Sequence, residues 1–179
     1  MTNRDDRRAA LLDRMADHLL DHGLDGASLR PLAAAAGTSD RMLLYYFADK
    51  EELLAAVLEH VAGRMAASLG QAGDGPRPYP ELLAEVVGSV RSPAFRPYMH
   101  LWIDLAAQAA RGREPYRRIA GRIADGFLAW VAQRLRPADE AAREREAALL
   151  LATVDGLALL DAVGRKEAAD AALGRFPSA

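Results

Sequence analysis

The stretch from Ser28 to Leu53, SLRPLAAAAGTSDRMLLYYFADKEEL, admits few local structures. Ser28 suits a helix N-cap, because its hydroxyl can accept from the free N–H groups of a first turn. Pro31 falls inside that turn, where a missing N–H is tolerated. Leu29, Leu32, Ala33 and Ala36 then share one helical face. Gly37 ends the helix, since glycine enters the left-handed region without a Cβ penalty. Thr38 or Ser39 caps a second helix that carries Asp40 to Tyr46. Asp49 caps a third, with Glu52 three residues later as in a capping box. Two short helices joined by a glycine-containing turn make a helix-turn-helix, whose second helix enters the DNA major groove. The small residues Ala33 to Ala36 let the two helices approach closely. Thr38 to Tyr46 mix hydroxyls, a guanidinium and phenols, groups that reach phosphates and base edges.

Ala36-Gly37-Thr38-Ser39, Leu43, Tyr46-Phe47 and Lys50-Glu51-Glu52-Leu53, with Gly23, Gly26, Ser28 and Leu32-Ala33 upstream, resemble the DNA-binding segment of the TetR/AcrR transcriptional regulators. The resemblance covers about the first third of the chain; beyond it only length and helicity can agree. Two positions depart from the family pattern. Met42 stands where the family usually has Thr or Ala, and Leu44 where it has Tyr. Those hydroxyls commonly touch phosphate in the family, which Met42 and Leu44 cannot do; Tyr45 or Tyr46 would have to substitute.

A chain of 179 residues suits a small head and a larger body, and is long enough to bury a real core. Abundant alanine, leucine and arginine with few β-branched residues favour helix. The absence of cysteine excludes disulfides, thiol chemistry and zinc–thiolate sites. No apolar run reaches membrane-spanning length and the start lacks the apolar core of a signal peptide, so a cytoplasmic protein without membrane contact is expected. Charge is the discordant feature. Residues 1–50 hold seven basic and eight acidic side chains, a net of −1, whereas DNA binders usually carry a basic footprint. Distribution matters more than the sum, because several of the aspartates lie along the first helix, which can face away from the duplex.

The pattern predicts an all-α fold of about nine helices: a three-helix head at 1–48 and a C-terminal helical bundle at 49–179. The first helix, 5–22, has Leu12, Met15, Ala16 and Leu19 as its apolar stripe. His18 and His22, four apart, could share a metal, but read more simply as solvated histidines of a polar face. A helix from Lys50 to about Ala72 repeats Leu54, Val57, Leu58, Val61, Met65 and Leu69 at helical period. Residues 73–80, GDGPRPYP, form a loop, and a short helix follows from Glu81 to Val90. Ser92-Pro93 opens the next helix, kinked at Pro97 and stopped by Gly112. Further helices span Pro115 to about Arg136, 139–163, and Arg165 to about Arg175. No strand pattern is present.

No nucleophile–base pair, P-loop, dinucleotide fingerprint or metal-ligand set occurs, so neither an enzyme nor a cofactor is indicated. Met65, Tyr98, Met99, Trp102, Ile123, Phe127 and Trp130 are candidates to line an apolar pocket, with Asp104 and Gln108 among its polar groups. The run Leu149–Val163 is apolar over a broad arc, and a helix of that kind is buried in its own core or against a partner. In the resembled family, helices near the C-terminus pair as a four-helix dimer interface. That places Leu150, Val154, Leu157 and Asp161 at an interface here.

The resemblance therefore implies a homodimeric one-component regulator, a repressor of palindromic operator DNA released by a small, moderately apolar effector. Arg30, Arg41, Tyr45 and Tyr46 are the candidates for direct DNA contact, and Ser28, Thr38, Ser39 and Lys50 for phosphate. The alternative is a helical ligand-binding or interaction protein with weak or lost DNA affinity. The near-neutral head, Met42 and Leu44 favour that alternative, and an acidic surface at residues 38–46 would strengthen it.

Overall fold

A computed structural model describes residues 3–69, 75–137 and 139–174. Nine helices are present among them: α1 (Asn3–His22), α2 (Leu29–Ala35), α3 (Asp40–Tyr46), α4 (Lys50–Leu69), α5 (Tyr79–Val90), α6 (Arg96–Ala110), α7 (Tyr116–Arg134), α8 (Glu140–Ala162) and α9 (Lys166–Leu173). A 3-10 turn, Gly23–Gly26, links α1 to α2. No strand occurs among the described residues, only an isolated bridge between Arg77 and Leu135. The all-α expectation is met.

The chain forms two compact units. One comprises Met1–Met65 with His100–Gly121, the other Ala66–Met99 with Arg122–Ala179. Neither division falls at residue 48.

In the first unit the expected stripe Leu12, Met15, Ala16 and Leu19 is buried, together with Leu32, Ala33, Ala36, Leu43, Phe47, Leu53, Leu54, Val57, Leu58 and Val61. Polar contacts tie α1 to α4: Asp13 Oδ1 lies 2.7 Å from His60 Nε2, and Arg64 Nη1 donates to Asp17 Oδ1 at 2.7 Å and to Asp13 O at 3.5 Å. His18 is not a solvated residue. Its ring stacks on that of His22 at 4.2 Å, and its Nε2 is buried. A Cβ at position 26 would lie 2.8 Å from that nitrogen, so glycine is what lets the 3-10 turn close over the imidazole.

In the second unit α5 buries Leu82, Leu83, Val86, Val87 and Val90, α8 buries Ala147, Leu150, Val154 and Leu157, and α9 buries Ala169. Backbone bonds from Arg77 N–H to Arg134 O (2.9 Å) and from Arg136 N–H to Arg77 O (2.8 Å) staple the segment before α5 to the end of α7. Arg143 Nη1 donates to the carbonyls of Ala132 and Leu135 at 2.7 and 3.2 Å, satisfying acceptors at the end of α7. Arg91 closes α5 onto α8 and α9. Its Nε and Nη2 grip both oxygens of Asp161 (2.7 and 2.9 Å), and its Nη1 reaches Asp170 Oδ1 at 2.7 Å.

Several boundaries differ from expectation. α5 starts at Tyr79, with Pro80 in its first turn. α6 starts at Arg96, so Pro97 sits where an absent N–H costs nothing, and the expected kink does not arise. Residues 91–95 are turns, so Pro93 opens no helix. The expected extension of α4 to Ala72, and residues 73 and 74 of the expected loop, lie outside the described residues.

Candidate nucleic-acid interface

The head is built by capping. α2 ends in a Schellman arrangement: Thr38 N–H donates to Ala33 O (2.9 Å), Gly37 N–H donates to Ala34 O (3.0 Å), and Gly37 has φ +67°. Arg14 Nη1 adds a bond to Ala36 O at 3.1 Å, a cation on the negative end of the helix dipole. Gly37 therefore turns the chain sharply, and α3 begins three residues after it. Ser39, not Thr38, caps α3, its hydroxyl accepting from Met42 N–H at 3.3 Å. Asp49 Oδ1 accepts from the N–H groups of Glu51 and Glu52, both at 2.8 Å. Glu52 reaches back to Ala48 N–H at 2.6 Å rather than to Asp49, so the expected capping box is displaced by one residue. Ser28 takes the N-cap position of α2 with extended backbone, but its side chain makes no capping bond, which corrects the expectation for that hydroxyl.

Successive residues of α3 turn by about 100°. Leu43 is buried, and Phe47, one turn on, closes the same side. The middle of the opposite arc carries Arg41 and Tyr45. Met42 flanks them on one side and Leu44 on the other. Tyr45 is 61% exposed, Met42 40% and Leu44 42%. Tyr46 is half-buried and meets Tyr45 edge-on at 5.3 Å. Ser28, Arg30, Ser39, Arg41 and Lys50 are exposed, and Thr38 is half-buried in the turn.

Two arginines not anticipated from sequence join this surface. Arg4 lies over the Tyr45 ring (5.1 Å) and its Nη2 donates to Tyr45 O at 3.5 Å. Arg8 lies over the Phe47 ring at 4.6 Å. Both bring positive charge to the C-terminal end of α3. Their spacing of four was visible in the sequence, but which face of α1 meets α3 was not. The head's near-neutral sum thus conceals a sorted distribution. Asp13 and Asp17 face α4 and Asp49 caps it, while residues 38–46 hold one acid, Asp40, and one base, Arg41. The surface at 38–46 is not acidic.

The residues expected around an effector fall in both units. In the first, Met65, Trp102 and Gln108 are half-buried and Asp104 is exposed. Asp104 Oδ2 lies 3.0 Å from where a Cβ on Gly23 would be, and Gln108 Oε1 accepts from Arg113 Nη1 at 2.8 Å. In the second unit, Phe127 and Trp130 stack at 5.7 Å, with the Arg134 guanidinium 4.1 Å from the Trp130 ring centroid. Tyr98 packs against Phe95 at 5.7 Å, Met99 is buried and Ile123 is half-buried. Tyr79, on α5, is set apart by its hydroxyl. Burial first, then the Glu146 carboxylate, hold its phenol above the ordinary tyrosine range, with the Thr153 hydroxyl opposing. The Thr153 hydroxyl donates to Leu149 O at 2.8 Å, and the phenol oxygen and Glu146 Oε2 are left buried without a hydrogen bond.

The expected interface residues on α8 need correction. Leu150, Val154 and Leu157 are 0–3% exposed in the single chain, so their side chains face this chain's own core and are closed to a partner. Asp161 is gripped by Arg91. The outward positions of the same helix include an apolar stripe of Leu149, Ala152, Gly156, Leu159 and, at its C-cap, Val163.

Comparison with known proteins agrees with this geometry. The family model described as bacterial regulatory proteins, tetR family, matches residues 11–57. The HTH-type transcriptional regulator BetI of Burkholderia thailandensis is 33% identical over 171 residues, covering 89% of this chain and 84% of the relative. BetI of Rhizobium meliloti is 31% identical over 158 residues, covering 84% and 75%. Among solved structures, a transcriptional regulator from Rhodococcus sp. Rha1 superposes with a TM-score of 0.67 at 27% identity, over 98% of this chain and 96% of its own. The multidrug binding protein EbrR complexed with proflavin gives 0.66 at 24%, over 96% and 99%. A regulator from Saccharomonospora viridis in complex with choline gives 0.63 at 19%, over 96% and 95%.

Proposed function

The chain belongs to the TetR family of bacterial regulatory proteins and is a DNA-binding transcriptional regulator rather than an enzyme; from that premise we propose that it is a homodimeric repressor, released from a palindromic operator by a small effector. The observation that carries the DNA reading is the outward face of α3, where Arg41 and Tyr45 stand between exposed flanks on a helix locked by the Gly37 turn and the Ser39 cap. Arg41 and Tyr45, helped by Arg30 and Tyr46, read bases. Ser28, Thr38, Ser39 and Lys50, joined by Arg4, hold phosphates.

A dimer places two such heads on the two half-sites of a palindrome. Its seam on α8 is Leu149, Ala152, Gly156, Leu159 and Val163, spaced alternately by three and four residues as in a helix–helix stripe. The effector is small and moderately apolar, and within the second unit the stacked Phe127 and Trp130 of α7 offer it an aromatic surface. Two structural neighbours are solved with proflavin and with choline, which supports a ligand of that size. Binding acts by population shift: it favours a conformation in which α4 no longer presents the heads to successive major grooves. No described helix is long and apolar enough to cross a membrane, which supports a cytoplasmic site of action.

Selection of duplexes from a random library at low and moderate salt tests the reading. A palindrome enriched at both salts is the expected result. Binding that enriches nothing and disappears with salt is the generic phosphate term alone and ends the operator claim. On the selected duplex, Arg41→Ala is expected to cost about 1–3 kcal/mol, concentrated at one base pair. An equal loss on all sequences would reduce Arg41 to a phosphate contact.

A further inference from the structure

We propose that Met42 and Leu44 are specificity residues that read the C5-methyl groups of thymines on either side of the base pair read by Arg41; the inference rests on the operator-binding reading above.

Met42 and Leu44 are 40% and 42% exposed, although Leu43 between them is fully buried. α3 is thus not apolar at random. It has a core side, Leu43 and then Phe47, and an outer arc on which a guanidinium and a phenol are bracketed by two apolar side chains. Successive residues turn by about 100°, so Met42 and Leu44 lie on opposite shoulders of that arc.

Neither side chain can donate a hydrogen bond, and the thioether is at best a weak acceptor. Phosphate oxygens and the polar base edges therefore offer them nothing. The apolar group that B-DNA presents on the major-groove floor is the thymine methyl. Arg41 points along the middle of the arc, where bidentate contact with guanine O6 and N7 is the commonest specific pairing. Shoulders on both sides of it then meet the neighbouring base pairs. The structure thus assigns an A·T pair to each side of a central G·C pair in the half-site. It also gives the two family departures, Met42 and Leu44, a positive role in place of lost phosphate contacts.

The test replaces thymines of the selected duplex one at a time by deoxyuridine, which removes only the methyl group. Affinity is read by fluorescence anisotropy at fixed salt for the full-length wild type and for Met42→Ala and Leu44→Ala. Both positions are exposed, so neither alanine variant disturbs the core. For wild type, Kd is expected to rise about three- to tenfold at one thymine on each side of the G·C pair. Met42→Ala should abolish the effect at one of these thymines, and Leu44→Ala at the other.

Uracil substitutions that leave wild-type Kd unchanged at every thymine would overturn the inference while the operator reading stands. So would methyl effects that survive unchanged in both alanine variants, or a half-site without A·T pairs beside the G·C pair. A library that yields no enriched sequence would remove the operator reading and this inference together.

Discussion

α3 and α8 both expose apolar side chains, and the surroundings of those side chains differ. On α3, Met42 and Leu44 stand beside Arg41 and Tyr45 within a single exposed arc. On α8, Leu149, Leu159 and Val163 are 50–60% exposed and alternate with Ala152 and Gly156, without a charged residue in the stripe. The first surface suits a partner that is mostly polar and carries isolated methyl groups. The second suits another apolar helix, with glycine and alanine allowing close approach. Exposed apolar area alone does not name a partner; the charge and spacing around it do.

Leu149→Glu with Leu159→Glu should abolish association, so that sedimentation gives a monomer mass while helicity is retained; an unchanged mass would remove α8 from the interface. Its inward neighbour should behave in the opposite way. Leu150→Ala is expected to cost about 2–5 kcal/mol of folding stability in urea, with far less effect on self-association beyond that of unfolding. A loss below about 0.5 kcal/mol would place Leu150 outside the core.

Arg91→Met removes the clamp between α5, α8 and α9. It should cost about 1–3 kcal/mol, because hydrogen bonds to charged groups are lost and Asp161 stays partly buried. The clamp also sets a pH dependence. The Asp170 carboxyl is held below its ordinary range, first by Lys166 and then by Arg91. A carboxyl depressed in the folded state stabilises above its unfolded pKa, and that contribution is lost as pH falls through the lower folded value. Acid titration of stability should therefore be shallower in Arg91→Met than in wild type, and parallel curves would show that the clamp contributes nothing there. The smallest contrast lies in the head. Ser39→Ala should cost about 1 kcal/mol and Ser28→Ala only a few tenths, since only the Ser39 hydroxyl makes a capping bond. Equal losses would contradict the capping geometry.

The local signals were legible because they act within a few residues. Gly37, Ser39, Asp49 and the stripe Leu12, Met15, Ala16 and Leu19 are all local in this sense, and the helices they predict are present. Pro97 misled because a proline in a first turn and one in mid-helix look alike until the start of the helix is known. Arg4 and Arg8 escaped notice because their contacts with Tyr45 and Phe47 span about forty residues.

The outcome on α8 separates the two kinds of information most clearly. Ala147, Leu150, Val154 and Leu157 form one stripe, and Leu149, Ala152, Gly156, Leu159 and Val163 form another, about two residues out of phase. Both have helical spacing, and a run that is apolar nearly all round does not rank them. Composition and periodicity determined an all-helical chain with a helix-turn-helix near its start, because helix period, capping and turn chemistry are local. Which stripe of α8 enters the core, which face of α3 stays outward and which arginines join it were decided by tertiary packing. Burial is a property of the neighbours a side chain acquires, and those neighbours come from distant parts of the chain.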